Sequence, residues 1–333
     1  MTNRCHRPRF AKSIPALASL GMALILSAGV SGVACAARPG GGGASAPAGQ
    51  AAQEPVRIRD VVYGRKHGVA LTMDVFKPPA NVNPSGIGVI WMVSGGWYSS
   101  HNSINPGLSK IFTDRGHTVF QVVHSSQPKF TLPEIVPDIH RAVRFIRGHA
   151  AEYGVDPERL GIAGASAGGH LSLMMAAYGA PGDPQAEDPI DRLSSRVNAV
   201  GAFFPPTDFL NYGKPGQKAL SYEELRPFWH VFAVPAGATD EARDTIARTF
   251  SPVYGLSSSS PPVLLFHGDA DTLVPLQQSR EVMQKLEAFK VPHKLEVRPG
   301  KGHGWPEMGE DMLLIARWFE EHLSKPDSKP PEK

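Results

Sequence analysis

From Val56 onward, short apolar runs alternate with longer stretches of helical spacing. Val56–Tyr63 and Ala70–Phe76 predict an entry hairpin that turns at Lys66-His67-Gly68. Gly88–Val93, Thr118–Val123, Leu160–Ala163, Val200–Phe204, Pro262–Phe266 and His293–Arg298 predict further strands. Pro133 to Tyr153 predicts an amphipathic helix. Ile135, Ile139, Val143, Phe145 and Ile146 recur at helical spacing, with Arg141, Arg144 and Arg147 mostly opposite. Asp156-Pro157-Glu158-Arg159 turns the chain into the next strand, and His170–Ala177 predicts another helix. Alternation of this kind gives an α/β fold, a mostly parallel sheet with helices on both faces. A ligand then sits at the carboxyl ends of the strands. Residues 209–250 break the alternation and carry Tyr212, Tyr222, Phe228, Trp229, His230 and Phe232. They read as a cap, whose aromatics either line an acyl or aryl pocket or pack the cap onto the body.

One junction in this pattern bears chemistry. Gly164-Ala165-Ser166-Ala167-Gly168 lies between the run ending at Ala163 and the helix-forming run from His170. Strand, Gly-x-Ser-x-Gly, helix is the context of a nucleophile elbow. Small residues flank the serine because the turn is tight. The helix that follows points its positive end at the site. The five-residue pattern is weak alone, since glycine and serine are common in loops; the partners give it weight. A serine hydroxyl needs a histidine to take its proton and a carboxylate to orient that histidine. Downstream, a buried strand runs into His267-Gly268-Asp269-Ala270-Asp271, which offers two aspartates. The last predicted strand ends in Pro299-Gly300-Lys301-Gly302-His303-Gly304-Trp305, placing His303 in a glycine-rich loop. Ser, Asp, His is the chain order of an α/β-hydrolase. The tetrahedral oxygen of acyl transfer needs donors. Ala167 N–H is expected to supply one, and the loop Ser94-Gly95-Gly96-Trp97-Tyr98 after the third strand the other. Gly95 and Gly96 are the expected donors there, with Trp97 a further candidate and a substrate contact.

The His267-to-Asp271 run, the segment Val274-Pro275-Leu276-Gln277-Gln278-Ser279 and the Gly302-His303-Gly304 loop resemble the α/β-hydrolase superfamily. Within it they are similar to the esterase branch related to bacterial feruloyl and acetyl esterases, the BD-FAE-like group. The resemblance covers roughly residues 57–323. It implies an α/β-hydrolase fold with Ser166 as nucleophile, Asp271 as acid and His303 as base, because the aspartate three residues before Val-Pro is the one the family uses. Asp269 then reads as a loop-shaping residue. The loop at 93–97 resembles the His-Gly-Gly-Gly-Trp segment of related esterases with one departure: Val93 stands at the histidine position. The expected function is an exported serine carboxylesterase acting on small acyl or hydroxycinnamoyl esters of carbohydrates. Prolyl-oligopeptidase-type peptidases share the skeleton and form the alternative. They usually carry an N-terminal propeller and an aromatic after the nucleophile, where this chain has Ala167. A non-catalytic binding protein of the same fold is the other rival; such proteins typically lose the serine or the histidine. Asp208 reads as a strand-end cap, His267 as structural and His170 as a packing residue. His101, His124 and His230 are minor candidates for substrate contact.

Composition then narrows the setting. Arg4, Arg7, Arg9 and Lys12 precede an apolar run from Ala16 to Val30, and Ala34-Cys35-Ala36 fits a small-x-small cleavage site. Residues 1–36 are thus expected to be a secretory signal, with an apolar run shorter than the about 20 residues of a comfortable membrane span. Cys35 offers a second reading, as a lipidated cysteine. Cys5 and Cys35 are the two cysteines of the chain. Simple cleavage after Ala36 leaves an exported domain without disulfides, held by its own core. The formal charge of +3 comes from the start, which holds four basic and no acidic residues. The remainder is near neutral and lacks the basic stripe with interleaved aromatics that nucleic-acid binding requires. Residues 37–55 read as a flexible linker, 56–324 as the catalytic domain and 325–333 as a disordered tail. No metal or organic cofactor is expected, and the partner is a small-molecule or oligosaccharide ester.

Overall fold

Two strands, β1 (Val56–Lys66) and β2 (Val69–Lys77), fold back on each other as the entry hairpin. Its turn residues His67 and Gly68 have φ of 46° and 76°, the left-handed pair demanded by a two-residue turn that matches strand twist. The computed structural model describes residues 54–221 and 223–324. The expected signal at 1–36 with both cysteines, the linker up to 53, Tyr222 and the tail at 325–333 lie outside the described residues.

Beyond the hairpin come β3 (Gly88–Met92), β4 (Thr118–Val123), β5 (Leu160–Ala165), β6 (Ala199–Phe203), β7 (Val263–Gly268) and β8 (His293–Arg298). The eight strands form one sheet in the order β1-β2-β4-β3-β5-β6-β7-β8. β2 runs antiparallel to β4, and β4 through β8 are mutually parallel. β3, β4, β6 and β7 are buried at every position, as strands covered on both faces must be. One face is covered by α1 (Pro106–Thr113) and α6 (Met308–Leu323), the other by α2 (Leu132–Gly148), α3 (Ala167–Tyr178) and α5 (Gln277–Ala288). α2 starts on a capping box between Thr131 and Glu134, which satisfies amides that the first turn leaves unpaired. It stops short of the expected end. The chain tightens into a 3-10 turn over Ala150–Tyr153 and leaves through Gly154 at φ 71°.

The segment that breaks the alternation sits between β6 and β7. It holds 3-10 turns at Ala219–Ser221 and Glu223–Phe232, then α4 (Asp240–Thr249), capped by Thr239. Its aromatics pack inward. Phe209, Tyr212 and Phe232 are buried, Phe209 meets Phe232 edge to face at 4.8 Å, and Trp229 Nε1–H donates to the Ala219 carbonyl. Tyr212 and Phe232 thus take the packing role, whereas Phe228 and Trp229 are half-buried and His230 is exposed. This is the α/β-hydrolase fold with a cap inserted over the carboxyl edge of the sheet.

Candidate active site

Ser166 occupies the turn between β5 and α3 with φ 54° and ψ −119°. A non-glycine residue held there is strained by on the order of 1–3 kcal/mol. The surroundings enforce it. Ser166 N–H donates to Phe203 O on β6 at 2.9 Å, and Ser166 O accepts from His170 N–H at 2.9 Å, the first bond of α3. The flanking glycines are forced by contact: a Cβ on Gly164 would lie 2.6 Å from the Gly168 backbone, and one on Gly168 would lie 2.8 Å from Met92 O. α3 therefore begins at Ala167, earlier than the apolar run from His170 suggests. Ala167 N–H falls in the first helical turn, where amides have no intrahelical partner.

Three side chains distant in sequence meet at this turn. Ser166 Oγ lies 2.8 Å from His303 Nε2, and His303 Nδ1 lies 2.7 Å from Asp271 Oδ2. An ionised carboxylate only accepts, so His303 Nδ1–H donates to Asp271 and Nε2 is left to accept from the serine hydroxyl. Asp271 Oδ1 accepts from the amides of Leu273 and Val274, each at 2.9 Å. Burial opposes the charge of Asp271. Hydrogen bonds from His267 and His303 and the amide of Val274 outweigh it and hold the carboxyl well below the usual carboxylate range. Asp269 faces elsewhere and accepts from Gly300 N–H at 2.6 Å. Of the two aspartates the residue pattern leaves open, the structure brings Asp271 to the histidine.

His267 stands behind Asp271. Its Nδ1 is 2.7 Å from Ser279 Oγ, and its Nε2 is 2.8 Å from Val274 O and 3.5 Å from Asp271 Oδ2. Since a carbonyl only accepts, Nε2 carries the proton and Nδ1 accepts from Ser279. Phe204 packs against His303: its ring lies 4.3 Å from that of His303, and its backbone is held at φ 35° by an N–H bond to Phe266 O. Sequence reasoning passed over Phe204; its place one residue beyond a buried strand was the available signal.

The loop after β3 departs from expectation at two positions. Gly95 N–H donates to Tyr98 O at 3.0 Å, and Tyr98 N–H donates to Gly95 O at 2.9 Å. The bridge occupies the Gly95 amide, so Gly95 is corrected from oxyanion donor to hinge of the bridge. Trp97 was expected at the substrate. The residue is 3% exposed, and its ring meets those of Phe228 and Phe232 edge to face at 5.9 and 5.7 Å. Its Nε1–H donates to His170 Nδ1 at 3.1 Å. His170 Nε2–H donates in turn to Phe250 O at 2.7 Å, so the tryptophan joins body to cap. The histidine missing from the loop is supplied by the neighbouring strand: His124, just past β4, lies 2.8 Å from Ser94 Oγ. Its Nδ1–H donates to Ser125 O, so Ser94 Oγ–H donates to Nε2. Burial lowers His124 to about 4, which keeps it neutral. His101 pairs with Thr72 and Asp60 on the entry hairpin. His230 bonds Gln127. Asp208 closes the turn after β6 by accepting from the amides of Leu210 and Asn211.

Comparison with known proteins bears on the family and the fold. The BD-FAE family model matches residues 73–286. The probable carboxylic ester hydrolase LipM of Mycobacterium tuberculosis is 28% identical over 286 residues, spanning 82% of this chain and 63% of LipM. This chain spans 50% and 60% of two further mycobacterial relatives, the esterases LipQ and LipC. Among solved structures, a truncated carbohydrate esterase from gut microbiota superposes with a TM-score of 0.67 at 22% identity, covering 81% of this chain and 97% of that one. The acetyl ester-xyloside bifunctional hydrolase of Caldicellulosiruptor lactoaceticus gives a TM-score of 0.65 at 20% identity, covering 82% and 98%.

Proposed function

The chain belongs to the BD-FAE family, and we propose that it hydrolyses carboxylic esters through an acyl-enzyme on Ser166. The relay from Ser166 Oγ through His303 to Asp271, with links of 2.8 and 2.7 Å at a strained elbow, carries this reading. His303 Nε2 takes the hydroxyl proton as Oγ attacks the ester carbonyl, and Asp271 stabilises the imidazolium. The carbonyl oxygen becomes an oxyanion and accepts from Ala167 N–H and from the amides of Gly96 and Trp97. On collapse the C–O bond to the alcohol breaks, and His303 returns the proton to the leaving oxygen. Water then attacks the acyl-enzyme by the same steps and frees the acid.

The substrates are short acyl esters, acetyl above all, carried on sugars. The inward packing of Trp97, Phe209 and Phe232 supports a small acyl site, because buried rings packed on one another are not free to line an aryl pocket. The carbohydrate esterase and the acetyl ester-xyloside hydrolase named above support the sugar. Export is part of the proposal, on the strength of the basic-then-apolar start.

A panel of 4-nitrophenyl acetate, butyrate, octanoate and ferulate beside aminoacyl-anilides tests the activity. Acetate is expected to lead, and Ser166→Ala to lower kcat by about 10⁴-fold or more. Preference for anilides overturns the esterase in favour of the peptidase. Preference for ferulate overturns the small acyl site. The intact mass of protein from the native host tests export, with loss of residues 1–36 expected.

A further inference from the structure

We propose that Gln127 is a positioning residue for the oxyanion loop and that it ties the aim of that loop to the cap. The inference rests on the acyl-enzyme reading above. In a trans peptide unit the C=O and N–H point in opposite directions. Whatever holds the carbonyl of one residue therefore fixes the amide of the next. Tyr98 N–H holds Gly95 O, and that sets the direction of the Gly96 amide. Gln127 does the same one unit later: its Nε2–H donates to Gly96 O at 3.3 Å, which sets the direction of the Trp97 amide. Gln127 N–H also donates to Trp97 O at 3.3 Å. One residue thus holds both peptide carbonyls that flank Trp97.

The other end of the same side chain reaches the cap. Gln127 Oε1 lies 2.8 Å from Nε2 of His230, in the 3-10 segment Glu223–Phe232. The orientation of the amide is forced. Gly96 O only accepts, so the NH₂ must face it, the amide oxygen must face His230, and His230 Nε2 must carry a proton. The cap also meets the same residue directly: a Cβ on Gly96 would lie 2.5 Å from Phe228 Cε1. Phe228 and His230, two residues apart, both reach Gly96, one by contact and one through Gln127. A displacement of the cap is therefore felt at the amides that meet the oxyanion.

Three variants test this. Gln127→Glu keeps the size and the partner on His230 but removes the donor to Gly96 O. Gln127→Met removes both bonds at similar volume. His230→Ala, on the exposed face of the cap, frees only the far end of the amide. Steady-state kinetics on 4-nitrophenyl acetate and the rate of inactivation by a phosphonate ester are read for each, with melting temperature as the folding control. For Gln127→Glu and Gln127→Met, kcat and phosphonate inactivation are expected to fall together by about 10- to 100-fold, with KM within about 3-fold. His230→Ala is expected to lower kcat by about 3- to 10-fold without moving the melting temperature. Wild-type kcat in a folded Gln127→Met or Gln127→Glu overturns the proposal, as does a change confined to KM. If neither Gln127 variant folds, unchanged kcat in His230→Ala overturns it and the stated loss supports it. Ser166→Ala separates the two levels. Activity without Ser166 defeats the acyl-enzyme itself, whereas dependence on Ser166 with indifference to Gln127 defeats this inference alone.

Discussion

Asp271 and Asp269 are two residues apart, and the difference between them is one of direction. Asp271 points to His303 Nδ1, while Asp269 points to the amide of Gly300. Asp271→Asn can present an amide N–H to Nδ1 and so favour the wrong imidazole tautomer. It is expected to lower kcat by about 10³- to 10⁴-fold. Asp269→Asn retains an oxygen for Gly300 and is expected to cost less than about 5-fold. Steady-state kinetics of the two variants decide the assignment, and the reverse order overturns it. Ser166 and His303 were legible in the sequence because each has a local context, a five-residue turn and a glycine-bounded loop; the strand end offered two aspartates, and only the family resemblance chose Asp271 between them. Gly95 and Trp97 were not legible in their roles. The amide of Gly95 is claimed by Tyr98 through a bridge that no spacing announces. The Trp97 ring turns inward because Phe228, Phe232 and His170 wait for it, and those arrive from other parts of the chain.

At the scale of elements, the elbow depends on how closely β5 and α3 approach. The limiting contacts of Gly164 and Gly168 are backbone to backbone, so no side-chain rotation relieves an added methyl. Gly164→Ala and Gly168→Ala are each expected to destabilise by about 3 kcal/mol, read from urea midpoints. Gly154→Ala is the control. Nothing lies within 4 Å of its would-be Cβ, and only its φ of 71° opposes the change, so about 1 kcal/mol is expected. A midpoint for Gly168→Ala no lower than that of Gly154→Ala contradicts the interlock. Strands β2 to β8 were read within a residue or two, helped by the continuous apolar runs of the buried parallel strands, whereas β1 runs three residues past its expected end. Helix ends were less legible. α3 starts within the motif at Ala167, where two glycines conceal it. The stretch after α2 changes pitch because its residues are asked to turn toward β5.

The whole molecule carries a set of histidines that do no chemistry. His117, His124, His140 and His170 are each lowered to about 4, mainly by burial. The folded protein keeps them neutral, whereas the unfolded chain protonates them near 6.5. Between those values the unfolded state binds more protons, so stability rises with pH and falls on acidification. Asp271 acts at lower pH: its depressed value contributes stability present above the unfolded carboxylate range and lost only as pH falls below it. From pH 7 to 5 the histidines therefore dominate, each costing up to about 2 kcal/mol at pH 5. The melting temperature is expected to drop by at least about 5 °C over that interval. A flat profile in calorimetry contradicts the burial assigned to them. Of these four the sequence assigned a packing role to His170 alone; the others are distinguished by how deep the fold places them.

The register of the entry hairpin puts Val56 opposite Lys77, and Phe76 opposite Val119 at the start of β4. At the far end, Arg159, just before β5, holds the carbonyl of Leu323 that closes α6. Both described termini thus emerge beside the beginnings of the parallel strands, whereas Ser166 sits beyond their ends. A bead, a resin or a fused module attached at either described terminus would sit at the opposite edge of the sheet from Ser166.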